Sequence, residues 1–446
     1  MSAQQPGLDY LAAVGAAERD PARIELLYQE ARASHAVERF IAAVQTSYQA
    51  APENLLYAAW HYRLAPTARA ERASVAAQWN IAIPLSVTLA LVYWVLSDPN
   101  WQIARGVPYI AVLWAPVAAL ALIWFLTLTA RGHYLRSALL SAGLIAITAY
   151  IVALSLAAAP AQQQTYLTLM VLHLPLLAGC TVGLALLGWH SSAVDRFAFL
   201  TKSIEVIATA GVASIAGGIF VGLTYGIFQA IGVSIPTLLT RLLIAGGAGL
   251  IPVLAVAAVY NPALPPHAQE FRRGFGRILG ILMRALLAPT LIVLAIYLVV
   301  IPFNFAQPFS NRDVLIVYNV MLFAILALLV GVTPVAPEGD VSPAWQRWLR
   351  AGMLALAALV VVVSVYALAA AVYRTTHSGL LTMNRAVVIG WNVINIVLLL
   401  VLLAGQLRAS GGDWIARVQR AFRLGTVAYL GWALLLALAL PWVFSH

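Results

Sequence analysis

The chain has 446 residues, of which 62% are hydrophobic and only 9% are charged, and its net charge is +10. A soluble domain carries about 25% charged residues, so this chain cannot cover a water-exposed surface of its size. The composition excludes a soluble globular protein and indicates that lipid surrounds most of the chain.

The N-terminal residues 1–78 differ from the rest, because they hold half of the 16 acidic residues and none of the long apolar runs. Spaced apolar residues predict an amphipathic helix from Pro21 to about Tyr48 and a second helix over Glu53–Leu64. No cleavable signal peptide is recognisable. We interpret this region as a small cytoplasmic helical segment, either a helical cap that docks on the bundle or on itself, or a peptide-binding module. The apolar positions are Ile24, Leu27, Ala31, Val37, Ile41 and Val44, with Ser34 on the same face.

Residues 79–446 contain eleven apolar runs, each close to the 20 residues that a helix needs to cross about 30 Å of hydrocarbon. Each run must satisfy its own backbone hydrogen bonds in lipid, so the runs predict helices and an all-α, polytopic transmembrane bundle. The predicted spans are Asn80–Ser97, Pro108–Ala130, Ser137–Ala158, Tyr166–Trp189, Ile204–Phe228, Thr237–Tyr260, Leu279–Ile301, Val314–Thr333, Ala351–Tyr373, Ala386–Gln406 and Gly425–Phe444.

Basic residues predict the orientation of this bundle. With the N-terminus in the cytoplasm, 20 of the 26 Lys and Arg residues lie on the cytoplasmic side, and four lie outside: Arg105, Arg312, Arg374 and Arg385. Positively charged loops stay in the cytoplasm, so we expect a multi-pass plasma (inner) membrane protein with a cytoplasmic N-terminus and an extracytoplasmic C-terminus.

Two groups of cytoplasmic arginines suggest a partner. Their charge and their position at the predicted interface favour anionic lipid head groups over nucleic acid, while protein partners stay unassigned. The groups are Arg272, Arg273 and Arg277, and Arg417, Arg420 and Arg423.

Charged residues are nearly absent from the predicted spans. Glu205 opens the fifth span, three residues after Lys202, so the two side chains share a helix face. We expect an ion pair at the cytoplasmic surface that contributes little to stability. The alternative, a proton or cation relay, would need further carboxylates at depth. No catalytic motif occurs, and the spacing of histidines and the single Cys180 predict neither a metal site nor a cofactor.

Two polar features within or beside the spans are candidate binding sites. His173 lies in the fourth span near Pro175, which frees a backbone carbonyl that could accept a hydrogen bond from the ring. We leave open whether His173 is structural or functional.

The second candidate lies around the start of the tenth span. Arg374 and Arg385 flank the preceding outer loop against the positive-inside trend, and Asn392 and Asn395 are three residues apart on one helix face. Arginine pairs with carboxylate or phosphate at two points, so this cluster predicts an anion site open to the outside. A loop that merely tucks onto the bundle is the alternative.

Glycines at four-residue intervals mark the fifth span. Gly218, Gly222 and Gly226 share one face, and small residues at this spacing let helices pack closely. We therefore predict close packing of this face against another helix. A flexible helix pair around a substrate is the alternative.

Three stretches resemble the bacterial membrane family called domain of unknown function 4153. They are Leu381–Arg385 before a Trp-containing span, Phe199–Glu205 opening a Gly-rich span, and Leu286–Val300 with its Pro and Tyr. The resemblance extends over roughly Val182–Leu407. It implies a polytopic membrane protein and implies no activity.

Three functional hypotheses follow. The first is a transporter-like or accessory membrane component. The second is a membrane-embedded enzyme or sensor for a lipid-linked or anionic substrate at the outer side, with no catalytic residue assigned. The third is a structural subunit of a larger membrane complex.

Overall fold

The structure is a computed structural model that describes residues 9–33, 36–104, 106–157, 160–271, 274–335, 342–378, 380–409 and 413–444. The chain divides into two compact units, Met1–Asn80 and Ile81–His446. Both are built from helices, and the one sheet of the described residues is a two-stranded ribbon, β1 Gln102–Ala104 with β2 Val107–Pro108.

The N-terminal unit packs three short helices against the start of a fourth. These are α1 (Tyr10–Ala16), α2 (Pro21–Ala33), α3 (Val37–Ala50) and α4 (Leu55–Leu96). Their common core is apolar and aromatic, with Phe40 fully buried. Burying such side chains stabilises the small unit.

Three details of this unit differ from the sequence prediction. The chain does not form one helix from Pro21 to Tyr48, because α2 ends at Ala33 and α3 starts at Val37. The predicted face therefore belongs to two helices that fold onto one core, and Ser34 lies outside the described residues. The helix predicted for Glu53–Leu64 continues to Leu96. Finally, α1 was not predicted.

The second unit is the transmembrane bundle. Within the described residues, eleven helical segments are long and apolar enough to span a membrane, which confirms the predicted all-α polytopic fold. The protein is an integral membrane protein. Besides the end of α4, the spans are α5 (Tyr109–Ala130), α6 (Tyr134–Ala157), α7 (Pro160–Leu187), α8 (Ala193–Ala230), α9 (Thr237–Arg241) with α10 (Gly247–Val259), α11 (Gly274–Val300), α13 (Arg312–Val332), α14 (Pro343–Ser378), α15 (Met383–Leu407) and α16 (Trp414–Val443); α12 (Gln307–Ser310) is a short connector.

Large buried clusters hold these helices together. One joins α8 and α11 to α13–α16, a second joins α4–α7 to α10, and a third joins α5–α7 to α15 and α16. The third cluster brings α7, α15 and α16 together, and these three helices carry polar side chains that can then contact one another.

The sixth span is interrupted. A π-helical turn, Leu242–Gly246, separates α9 from α10. Arg241 just before it contacts Asp98 of the loop after α4, with 2.9 Å between Nη1 and Oδ2. The Asn100 backbone N–H and this guanidinium hold the pKa of the Asp98 carboxyl below its usual range.

The predicted packing of the glycine face on α8 is wrong. No residue from Val206 to Ala230 is buried. A methyl group built on Gly218, Gly222 or Gly226 would meet no atom within 4 Å. The N-terminal part of α8 packs in the bundle, whereas the glycine face of its C-terminal part lies against no described helix.

Candidate functional site

A buried network surrounds Trp391 on α15. Its indole Nε1–H donates to His173 Nε2 on α7 at 2.9 Å, and the two rings are stacked at a centroid distance of 5.9 Å. His173 Nδ1 lies 2.7 Å from the carbonyl of Leu169, one turn earlier on its own helix. Both side chains are 6% exposed.

These two contacts define the hydrogen positions on His173. The indole N–H can only donate, so Nε2 must accept, and Nδ1 must carry the hydrogen that it donates to Leu169. The carbonyl expected from the neighbourhood of Pro175 is not the acceptor. Bonds to both its own helix and α15 make His173 a cross-link between helices.

The two asparagines of the predicted site belong to the same region of the bundle. Asn392 donates through Nδ2 to Asn319 Oδ1 on α13 at 3.2 Å. Asn395 accepts from the Tyr429 hydroxyl of α16 at 2.6 Å, and the Tyr429 ring meets Trp391 edge-on at 5.2 Å. Amides that bond across helices are stabilised in lipid. Among the described residues, Asn395 Nδ2 is the one group of these amides left without an acceptor.

The structure brings some of the predicted site residues together and leaves others apart. His173, Asn392 and Asn395 all contact side chains around Trp391 or its neighbours. Arg385 lies two helical turns before Asn392, or about 10 Å along the axis, and its Nη1 donates to the Leu380 carbonyl of the preceding loop. Arg374 lies near the end of α14. A common anion site for these residues stays a prediction.

The Lys202–Glu205 pair is more deeply buried than the sequence predicted. Lys202 Nζ lies 2.7 Å from Glu205 Oε2, which confirms the pairing, but the two side chains are only 4% and 8% exposed. The pair is therefore not the solvated surface contact that we expected. Removing two charges from water costs several kcal/mol per ion, and apolar residues at such positions are often at least as stabilising.

The loop between α10 and α11 accounts for this burial. Lys202 Nζ donates to the backbone carbonyl of Glu270 and lies 5.0 Å from the ring centroid of Phe271. Gln269 fixes the loop by accepting from the Asn261 N–H and donating to the carbonyls of Asn261 and Leu264. No periodicity in the sequence indicates that this loop covers Lys202.

Glycine on α11 brings the Glu205 carboxylate against a helix backbone. A Cβ built on Gly276 would lie 2.8 Å from Oε1 and 2.9 Å from Oε2, so any larger residue would displace the carboxylate. Glu205 here forms part of the wall of a cavity of about 80 Å³. The other lining residues are Thr201, Ile204, Phe271, Gly276, Leu279, Gly280, Met283, Arg284, Gly331, Thr333, Pro334 and Val335.

The cavity beside Glu205 differs from the Trp391 network, because charged side chains lie at it. Two charged residues, Glu205 and Arg284, line the cavity, and Lys202 pairs with Glu205 beside it. Thr201 and Thr333, which carry hydroxyl groups, also line the cavity. A volume of about 80 Å³ accommodates a few water molecules or one small ion. The four-residue spacing of Gly276 and Gly280 was the sequence signal that could have pointed to it.

Comparisons with other proteins do not add to this description. No protein-family model, no curated protein and no solved structure matches the chain. The resemblance to domain of unknown function 4153 therefore stays an expectation from short motifs.

Proposed function

We propose that the protein is a transporter-like component of a plasma membrane, and that its solute engages the Lys202–Glu205 pair. The observation that carries the proposal is a buried ion pair inside an apolar bundle whose carboxylate lines a cavity. Ionisable residues within membrane spans usually mark ion or solute pathways, because their burial is costly.

The geometry also limits the solute. The cavity of about 80 Å³ lies at the ends of α8, α11 and α13 that the charge distribution assigns to the cytoplasm. Glu205 and Arg284 line the cavity, and Lys202 pairs with Glu205 without lining it, so these three groups together carry one excess positive charge. A small anion or a small neutral solute that forms hydrogen bonds is therefore the class of solute that this site fits best.

Transport can be tested with purified protein in liposomes. Permeation of chloride, acetate, phosphate, urea and glycerol would be followed by light scattering as each solute enters and the vesicles swell. We expect at least one of these solutes to enter faster than in protein-free vesicles. The double variant K202M/E205Q should lose this increase, because it removes the carboxylate from the cavity wall together with its ammonium partner.

A matched control uses the exposed ion pair of the N-terminal unit. Glu25 and Arg63 lie 3.1 Å apart with exposed side chains, so E25Q removes a comparable pair outside the spans. This variant should keep full permeation. The proposal fails if no solute enters faster than in empty vesicles, or if K202M/E205Q transports as well as E25Q.

The proposed orientation needs its own test. Twenty basic residues against four support a cytoplasmic N-terminus and an extracytoplasmic C-terminus. A reporter fused after Arg277 should be cytoplasmic, and one fused after His446 should be extracytoplasmic. A C-terminal reporter on the same side of the membrane as the N-terminus would refute the eleven-span bundle.

The proposed lipid partners are also open to experiment. Arg417, Arg420 and Arg423 lie on α16, and Arg277 lies on α11, while Arg272 and Arg273 lie outside the described residues. We propose that these arginines meet anionic head groups at the cytoplasmic surface. The protein should co-purify with fewer anionic lipids when Arg417, Arg420 and Arg423 are all replaced by Gln.

A further inference from the structure

A second and larger cavity lies elsewhere in the bundle. It has a volume of about 330 Å³, at the lower end of the range for small-molecule sites. Its walls come from the end of α5, the start of α6, the end of α7, the start of α8 and the loop after α10. It shares no lining residue with the cavity beside Glu205.

Arg136 is the cation of this cavity. Its Nη2 donates to the Leu186 carbonyl at 3.2 Å, which fixes the guanidinium against the end of α7. Its Nε is buried and has no hydrogen-bond partner among the described residues. No described carboxylate lies within 4.0 Å of this guanidinium, so its charge has no counter-ion among the described residues.

The backbone just after α7 leaves room for the Arg136 guanidinium. Gly188 follows α7 with φ of +72°, a conformation that side chains other than glycine rarely adopt. A Cβ at this position would lie 2.7 Å from Arg136 Nη1. Glycine is therefore required there both for the turn and for the approach of the arginine.

Asp195 contributes a carboxylate to the cavity wall, but this carboxylate already has partners within the chain. Asp195 accepts from the Ser192 hydroxyl at 2.7 Å, and its Oδ1 lies 2.6 Å from His267 Nδ1. Both partners hold Asp195 at the start of α8, so it does not neutralise Arg136. An unpaired, partly buried guanidinium is costly unless a charged partner arrives from outside the chain.

The other lining residues indicate the chemical nature of the molecule that would bring this charge. Most of the wall is apolar, from side chains that include Ile123, Leu126, Ala185, Leu187 and Pro262. We propose that this cavity binds an oxyanion, a phosphate or a carboxylate on a small apolar body, with Arg136 as its ligand. Arginine suits this role, because its planar fork donates to two oxygens at once.

Thermal unfolding of the full-length protein tests the site and identifies the source of the anion. One arm adds inorganic phosphate or acetate to delipidated protein in neutral detergent, at constant ionic strength. The other compares bilayer discs of phosphatidylcholine alone with discs that also contain phosphatidylglycerol. We expect a rise in Tm of about 2–4 °C in at least one arm, because a ligand that binds only the folded state stabilises it. A rise in the first arm identifies a soluble anion, and a rise restricted to the second identifies a lipid head group.

Matched variants make the result specific. R136Q should lose the rise in Tm, whereas R131Q should keep it, because Arg131 is exposed in the loop before α6 and does not line the cavity. Ala263→Trp fills the space from the exposed loop without removing the charge, and it should also lose the rise. If R136Q does not fold, Ala263→Trp still tests whether the cavity binds the anion. The inference is overturned if the wild-type Tm rises in neither arm, if R131Q loses the rise as fully as R136Q, or if Ala263→Trp keeps it.

Discussion

Two buried polar groups in this bundle invite comparison. The Lys202–Glu205 pair carries formal charges, depends on a loop for its burial and lines a cavity. The network around Trp391 is made of neutral groups whose hydrogen bonds run between α7, α13, α15 and α16. Neutral hydrogen bonds between spans stabilise a membrane bundle modestly, whereas buried charges cost stability. The first group is therefore the better candidate for function, and the second for holding the helices together.

The largest expected effect comes from removing only one member of the Lys202–Glu205 pair. Lys202→Met leaves Glu205 buried beside Gly276 without its ammonium partner. We expect a loss of about 3–5 kcal/mol in the free energy of unfolding, with most of it recovered in K202M/E205Q. Thermal or denaturant unfolding in detergent measures both. A double variant as unstable as Lys202→Met would show that the pair is structural and would remove the contrast with the Trp391 network.

Sequence reasoning succeeded where apolar length alone decides the structure. All eleven spans follow from runs such as Leu354–Val365, because lipid requires a helix there. The Lys202–Glu205 pairing was also predictable, since residues three apart meet on one helix. The burial of the pair was not, because Glu270 and Phe271 reach Lys202 from a loop far along the chain.

The same limit applies to the other predicted features. Asn392 and Asn395 were correctly placed on one face of a helix, but their partners Asn319 and Tyr429 come from different spans. Periodicity describes one helix at a time and does not identify the helix that packs against it. The glycine face of α8 failed as a prediction for this reason, since four-residue spacing permits close packing without supplying a neighbour.

A smaller effect should come from the neutral network. Trp391→Phe keeps an aromatic ring but removes the donor to His173, leaving Nε2 as a buried acceptor without a partner. We expect a loss of about 1–3 kcal/mol in unfolding free energy. Trp432→Phe is the matched control, because the Trp432 indole nitrogen is buried and already has no partner among the described residues, so its removal should cost little. Equal losses in the two variants would argue that ring packing, and not the hydrogen bond, holds α7 to α15.

The space between Glu205 and α11 can be probed with a single methyl group. Gly276→Ala should displace the carboxylate from its position and cost about 1–2 kcal/mol, within the range for overpacked sites. Gly280→Ala lies one turn further along the same cavity wall and meets nothing within 4 Å, so it should be neutral or slightly stabilising. Solute permeation should fall in the first variant and persist in the second. If both variants behave alike, the contact between Gly276 and Glu205 does not shape the site.

The smallest expected effect lies on the C-terminal half of α8, which carries neither of the two polar groups. Gly222→Leu adds a side chain at a position where a Cβ would meet no atom within 4 Å, so the unfolding free energy should change by no more than about 0.5 kcal/mol. Gly249 on α10 gives the contrast, because a Cβ there would lie 2.6 Å from the Ala90 backbone, and Gly249→Ala should lower Tm clearly. A loss of stability in Gly222→Leu comparable to that in Gly249→Ala would mean that another protein chain packs on α8. The C-terminal half of α8 would then belong to an interface between chains, whereas the Lys202–Glu205 pair lies in the N-terminal part of the same helix.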